Sequence, residues 1–279
     1  MLDNLTHRWL KIPYTLHTHT VHAPKKPVAT VLFIHGIGNT GSAWDEVIQK
    51  LPGNVRVVSI DLLGFGKSPN PKWARYNAKT QAKSVLATYF KLRLMTPVIV
   101  VGHSLGSLVA IEMAKRYPLL IKSMILCSPP LYEVSATGKA INLKTDVLLR
   151  QLYKTAQNRP EEFLKLSAVA MKFELVNKSF NVTADNVDSY MAALESMIIN
   201  QTSLDDARNI KVPTTIIRGT LDPFVVASNL KKLAKNNKKI QLKTIIAGHE
   251  VKGRYIRPVV AVINDHIMQA SKTNSDEDA

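Results

Sequence analysis

Two hydrophobic periods alternate along this chain. From about residue 28 onward, short, largely apolar runs are each followed by a stretch with apolar residues every three or four positions. The runs at 29–34, 55–60 and 97–101 predict strands buried on both faces, and 122–127 predicts a fourth strand. The stretches at 42–51, 80–94 and 104–117 predict the helices between them, the last ending before Pro118 as proline demands. Strands alternating with helices predict an α/β architecture: a mostly parallel, doubly wound sheet covered on both sides.

The alternation stops between residues 131 and 210. Helix-period stretches lie at 145–157, 161–176 and 186–200, with Asn158-Arg159-Pro160 separating the first two, and no strand is apparent. This segment reads as an all-helical insertion. The β/α pattern then resumes with a strand at 214–218, a helix at 228–236, a strand at 240–247 and a helix at 258–270. Residues 1–130 and 211–270 therefore form one core domain, 131–210 the insertion, and the polar, acidic residues 271–279 a disordered tail. At the other end, residues 5–22 predict a β-hairpin, with His17 and His19 alternating with Thr18 and Thr20 on a strand with one wet face. Two histidines at this spacing lack a third ligand nearby, so no metal site is read there.

Composition narrows the class. The chain has 279 residues, 46% hydrophobic and 21% charged, which excludes a disordered chain and a collagen-like repeat. Cys127 is the single cysteine, so neither an intrachain disulfide nor a cysteine zinc site is available; this suits a reducing compartment. The N-terminus shows no apolar signal-peptide region and no window reaches the roughly 18–20 apolar residues of a membrane span, so a cytoplasmic protein is expected. The formal net charge is +16. Its densest cluster, Lys231, Lys232, Lys235, Lys238 and Lys239, reads as a solvated helix face. Aromatics are only 6% and no nucleic-acid-binding motif is visible. Weak, salt-sensitive binding to an anionic surface is the only partner this charge implies, and the oligomeric state stays open.

The candidate chemistry centres on Gly102-His103-Ser104-Leu105-Gly106, a G-x-S-x-G sequence between the apolar run at 97–101 and a predicted helix. Such a turn forces the serine into a strained conformation with its hydroxyl above the sheet, and the helix start offers free N–H groups to an anion. Asp222 follows the strand at 214–218 and His249 follows the strand at 240–247. Each lies just past the C-terminal end of a strand, the edge where open α/β sheets bind ligands.

These residues, in the order Ser, Asp, His, resemble the α/β-hydrolase fold superfamily, and the resemblance covers about residues 28–270. His35-Gly36-Ile37-Gly38 resembles the family's oxyanion loop, and Asp61-Leu62-Leu63-Gly64-Phe65-Gly66-Lys67-Ser68 its D-x-x-G-x-G-x-S turn. The insertion sits where many members carry a helical cap. Ser107 stands where many relatives have a second glycine, and is expected to crowd the helix–strand contact slightly.

The resemblance implies Ser104 as nucleophile, His249 as base and Asp222 as the acid orienting it, with the Ile37 and Leu105 backbone N–H groups as oxyanion hole. No cofactor is implied. Asp205, Asp206 and Glu133 are rival acids and His266 a rival histidine; His35 and His103 read as loop-orienting, Asp61 and Ser68 as turn-stabilising. His103, Trp44 and Met171 are candidates for the substrate pocket, although Trp44 suits packing beneath it equally well. The expected reaction is hydrolysis of small-molecule carboxylic esters with small to medium apolar acyl groups. Two alternatives are a carbon–carbon bond hydrolase acting on vinylogous diketones and a non-catalytic binding protein on this fold. The first often carries tryptophan soon after the histidine, where this chain has Glu250-Val251-Lys252.

Overall fold

Val31 and Phe33 enter one hydrophobic core while Leu32 and Ile34, on the same strand, enter another. Ile99 and Val101 are divided from Val98 and Val100 in the same way. Side chains alternate across a strand, so an unbroken apolar run means that both faces are covered. The computed structural model describes residues 3–133, 151, 153–155, 157–173 and 176–277. Its seven strands are β1 (Thr18–His22), β2 (Thr30–Ile34), β3 (Arg56–Ile60), β4 (Val98–His103), β5 (Ile121–Cys127), β6 (Thr214–Gly219) and β7 (Ile240–Ile245). They form one sheet in the order β1-β3-β2-β4-β5-β6-β7. Only β1 is antiparallel to its neighbour.

Helices α1 (Asp45–Ile48), α2 (Ala78–Lys91) and α3 (Leu105–Arg116) follow β2, β3 and β4. Asn77 caps α2, its side-chain oxygen accepting from the Thr80 N–H at 2.9 Å. Between β5 and β6 the described residues form no strand; they include α4 (Pro160–Lys172), α5 (Val187–Ala193) and α6 (Ser203–Arg208). Helix α7 (Ala227–Asn236) precedes β7, and α8 (Ile256–Glu277) closes the chain, packing Val259, Ile263 and Ile267 into the second core with Phe33.

Three expectations change. Residues 5–22 are not a hairpin: Asn4–Trp9 is a helical turn, and Thr18–His22 pairs with β3 instead of with its own upstream segment. The Thr/His alternation marks a half-exposed strand correctly, but periodicity carries no information about a partner 40 residues away. Residues 42–51 split into a 3-10 turn, Gly41–Trp44, and the short α1. The predicted acidic tail continues α8 to Glu277, since no glycine or proline interrupts it after Pro258. Of the predicted helix at 145–157, residues 145–150 lie outside the described residues; 151, 153–155 and 157 are helical.

Two buried side chains fix the loops at the strand ends. The Asp61 carboxylate accepts from the backbone N–H groups of Gly41 at 2.7 Å and Lys67 at 2.9 Å, and meets His17 Nδ1 at 3.0 Å. The Ser68 hydroxyl donates to the Asp61 carbonyl at 2.6 Å, so both residues stabilise turns, as expected. His35 donates from Nδ1 to the Gly36 carbonyl at 2.7 Å and accepts the Leu62 N–H at Nε2 at 2.8 Å. Only a neutral imidazole can do both. Burial pushes its pKa down to about 4. His266, held between Ser123 and Thr215, is also pushed down by burial.

Both histidines titrate more readily in the unfolded chain, whose ordinary value is near 6.5. Below that pH the unfolded state takes up protons the folded state refuses, so stability present at neutral pH falls as the pH drops from 6.5 towards 4. Urea midpoints measured from pH 7.5 to 4.5 should decline over this window; a flat profile would contradict the assignment. Separately, a Cβ at Gly106 would lie 2.3 Å from the Ile34 carbonyl oxygen. Gly106→Ala should therefore cost about 1–3 kcal/mol in the same denaturation assay.

Candidate active site

Strand β4 lies at the centre of the sheet, and its last residue, His103, leads directly into Ser104. Ser104 has φ +50° and ψ −118°, a conformation that L side chains rarely adopt and that costs on the order of 1–3 kcal/mol. Local bonds hold it there. The Ser104 N–H donates to the Cys127 carbonyl at 2.9 Å, and its own carbonyl accepts from the Ser107 N–H at 2.9 Å. The Ser107 hydroxyl donates to the Gly102 carbonyl at 2.9 Å. Ser107 thus staples the helix to the strand, where crowding was expected.

The structure brings Ser104, Asp222 and His249 together. His249 Nε2 lies 3.0 Å from Ser104 Oγ, and Nδ1 lies 2.9 Å from Asp222 Oδ2. The Asp222 side chain is sealed from solvent. Burial by itself would raise its carboxyl, but the hydrogen bond and charge of His249 outweigh this, helped by Ser128 and the Phe224 N–H, and hold it below its ordinary value. Phe224 also packs its ring edge-on against the His249 ring at 5.0 Å. Asp222 therefore stays ionised and fixes the Nδ1–H tautomer, leaving Nε2 free to accept from the serine hydroxyl.

The rivals lie elsewhere. Asp205 pairs with Arg208, Asp206 with Lys115 at 2.7 Å and Glu133 with Lys232 at 3.5 Å. His266 is occupied inside the core. His103 donates from Nε2 to the His249 carbonyl at 3.0 Å, and burial lowers its pKa, so it braces the site as a neutral ring. Leu105 is the first residue of α3, where helix N–H groups have no intrahelical acceptor. Ile37 borders the same cavity as Ser104. Among the described residues, no group of three or more His, Cys, Asp or Glu side chains is placed to hold a metal ion.

That cavity measures about 400 Å³. Ile37, Ser104 and His249 form its floor; Phe163, Phe180, Tyr190, Leu194 and Ile198, from the segment between β5 and β6, form an apolar roof. The same segment ties itself to the loop after β2: the Asn181 N–H donates to the Gly38 carbonyl at 2.7 Å and the Ser179 hydroxyl donates to Asn39 at 3.0 Å. His103 lines the cavity, but Trp44 and Met171 are not among its described lining residues. Trp44 is buried against Phe33, ring centres 5.1 Å apart, in the core on the sheet's other face. Met171 sits on an exposed face of α4. The roof aromatics were missed because helical periodicity shows that a helix has an apolar face without showing what that face covers.

A second, open groove of about 1020 Å³ meets the first at His249. Val176, Phe224, His249 and Glu250 border both, and Lys178, Lys252 and Arg254 line the groove alone. Glu250, also missed, has one buried carboxylate oxygen with no hydrogen-bond partner.

Comparison with known proteins agrees with this architecture. A model of the alpha/beta hydrolase fold family matches residues 29–252. A probable lysophospholipase of Arabidopsis thaliana, BODYGUARD 4, is 33% identical over 129 residues, 45% of this chain and 30% of that protein; the chain thus spans less than a third of that relative's length. The enol-lactonase of Burkholderia xenovorans LB400 superposes with a TM-score of 0.74 at 18% identity, covering 91% of this chain and 96% of the other. A thermophilic esterase of Thermogutta terrifontis gives 0.72 at 18% identity, covering 92% and 99%. From the sheet order, the serine turn and the family match over residues 29–252, the chain belongs to the alpha/beta hydrolase fold family.

Proposed function

We propose that this protein is a serine hydrolase that cleaves carboxylic esters of small to medium apolar acyl groups through an acyl-enzyme. The observation that carries this reading is the hydrogen-bonded chain from Ser104 through His249 to Asp222, on the floor of an apolar cavity. A serine hydroxyl is a weak nucleophile and needs a base within hydrogen-bond reach. His249 takes the Ser104 proton as Oγ attacks the ester carbonyl carbon. Asp222 stabilises the imidazolium that forms. The Ile37 and Leu105 N–H groups receive the oxyanion, each donor contributing about 2.7–4 kcal/mol at the transition state. The imidazolium then protonates the departing alkoxide. Water attacks the acyl-enzyme with His249 again acting as base, and Ser104 is restored.

The apolar roof supports the substrate preference. In this reading the segment at 131–210 is the cap, and Phe163, Phe180, Tyr190 and Leu194 bound the acyl group. The groove beyond His249 is the side on which the alcohol leaves.

Hydrolysis of p-nitrophenyl esters from acetate to decanoate tests both statements. Turnover should vanish in Ser104→Ala and should pass through an optimum at short to medium chains, as a 400 Å³ cavity fills. Rates flat across chain length would remove the cap from the argument. No turnover of any ester would favour a carbon–carbon bond hydrolase or a binding protein. Asp222→Asn should leave the fold intact yet lower kcat by roughly 10⁴-fold, because the neutral amide no longer enforces the productive tautomer.

A further inference from the structure

The segment before β1 is folded, and its greasy face points outward. Inside, Tyr14 is buried, stacks on His7 with ring centres 3.6 Å apart, and donates its hydroxyl to Asp3 at 2.7 Å. The Leu10 and Ile12 N–H groups close the turn by donating to the Leu5 and Thr6 carbonyls. Outside, Trp9 is 73% and Leu10 63% exposed, and Leu5 and Ile12 are exposed with them. Single exposed hydrophobic residues are ordinary, but four within eight residues concentrate exposed apolar surface in one segment.

Positive charge lies on one side of these residues. A groove of about 400 Å³ beside them is lined by Arg8, Lys11, Arg75 and Lys83, and no acidic residue lines it. Asp3, the one acid of this segment, accepts from the Tyr14 hydroxyl and faces His7 Nε2 at 3.9 Å, leaving Arg8 and Lys11 in excess over it. Exposed indole and aliphatic side chains next to several cations match the boundary of an anionic bilayer, where the apolar groups enter the acyl region and the cations meet headgroup phosphates. A nucleic acid would use the cations and leave Leu5, Leu10 and Ile12 in water, so the lipid surface accounts for both halves of the face.

We propose that Leu5, Trp9, Leu10 and Ile12, with the adjoining basic groove, dock this protein on an anionic lipid surface. The face lies apart from Ser104, and the proposal does not depend on the reaction assigned to it. The apolar side chains supply the insertion and the groove supplies the charge selectivity.

Vesicles of phosphatidylcholine and phosphatidylglycerol at 3:1, compared with pure phosphatidylcholine, test this by co-sedimentation of the full chain. The expected result is binding to the anionic vesicles that weakens steeply between 50 and 500 mM salt (roughly the range over which screening acts), with tryptophan emission quenched by brominated lipid in the unaltered chain and less in Trp9→Ala. Trp9→Ala/Leu10→Ala should weaken binding about tenfold or more. Arg8→Gln and Lys11→Gln should each weaken it about fivefold. Circular dichroism melts confirm that the variants fold. No binding to anionic vesicles, or binding unchanged in Trp9→Ala/Leu10→Ala, overturns the proposal. So does a dimer in solution that the same double variant dissolves, or binding of duplex DNA that needs Arg8 and Lys11 but not Trp9 and Leu10.

Discussion

The path of the chain through residues 102–106 depends on two positions having no side chain. At Gly106 a Cβ would meet the Ile34 carbonyl oxygen at 2.3 Å, and at Gly102 it would meet the Gly106 carbonyl oxygen at 2.6 Å. These are backbone atoms and cannot swing aside. Because they meet so closely, β2, β4 and the first turn of α3 are locked together, and the residue between strand and helix has almost no conformational choice. Ser104 takes a left-handed backbone as the consequence, with the Cys127 carbonyl and the Ser107 N–H holding it there. The strain is local and the cores on either side of the sheet bear it.

Much of this is legible in the sequence. The largely apolar runs around Val31, Val58 and Val100 predicted strands covered on both faces, and the division of their side chains between two cores is the geometry of that pattern. The G-x-S-x-G turn lay between a run and a helix, and Asp222 and His249 each followed a strand end, so a parallel sheet had to carry all three to the same edge. The illegible parts share a cause. Thr18–His22 finds its partner in β3, Trp44 turns under the sheet to Phe33, and Phe180 and Tyr190 close over the serine. Each is decided by a contact distant in sequence, and periodicity carries only local information.

The cavity over Ser104 shows how the two parts of the chain divide their work. The sheet edge supplies polar groups whose positions follow from backbone geometry. The segment between β5 and β6 supplies almost only apolar surface, yet it is fastened by backbone and side-chain hydrogen bonds to Gly38 and Asn39. The roof is thereby registered against the very loop that carries the Ile37 N–H. Changes among the roof residues can alter what fits without disturbing the groups beneath, which is how one fold comes to serve many chemistries.

The bond from His103 to the His249 carbonyl joins two segments 146 residues apart. It runs alongside the contact between Ser104 and the His249 ring, so the turn after β4 and the loop after β7 are linked twice, once through the Ser104 hydroxyl and once through a neutral brace. A hinge needs one connection; a truss needs two. If the helices above the cavity breathe, the spacing between hydroxyl and imidazole need not follow, because the second member carries the load. Alignment at this edge is then a property of the frame itself, set by two strand ends and not by the helices above.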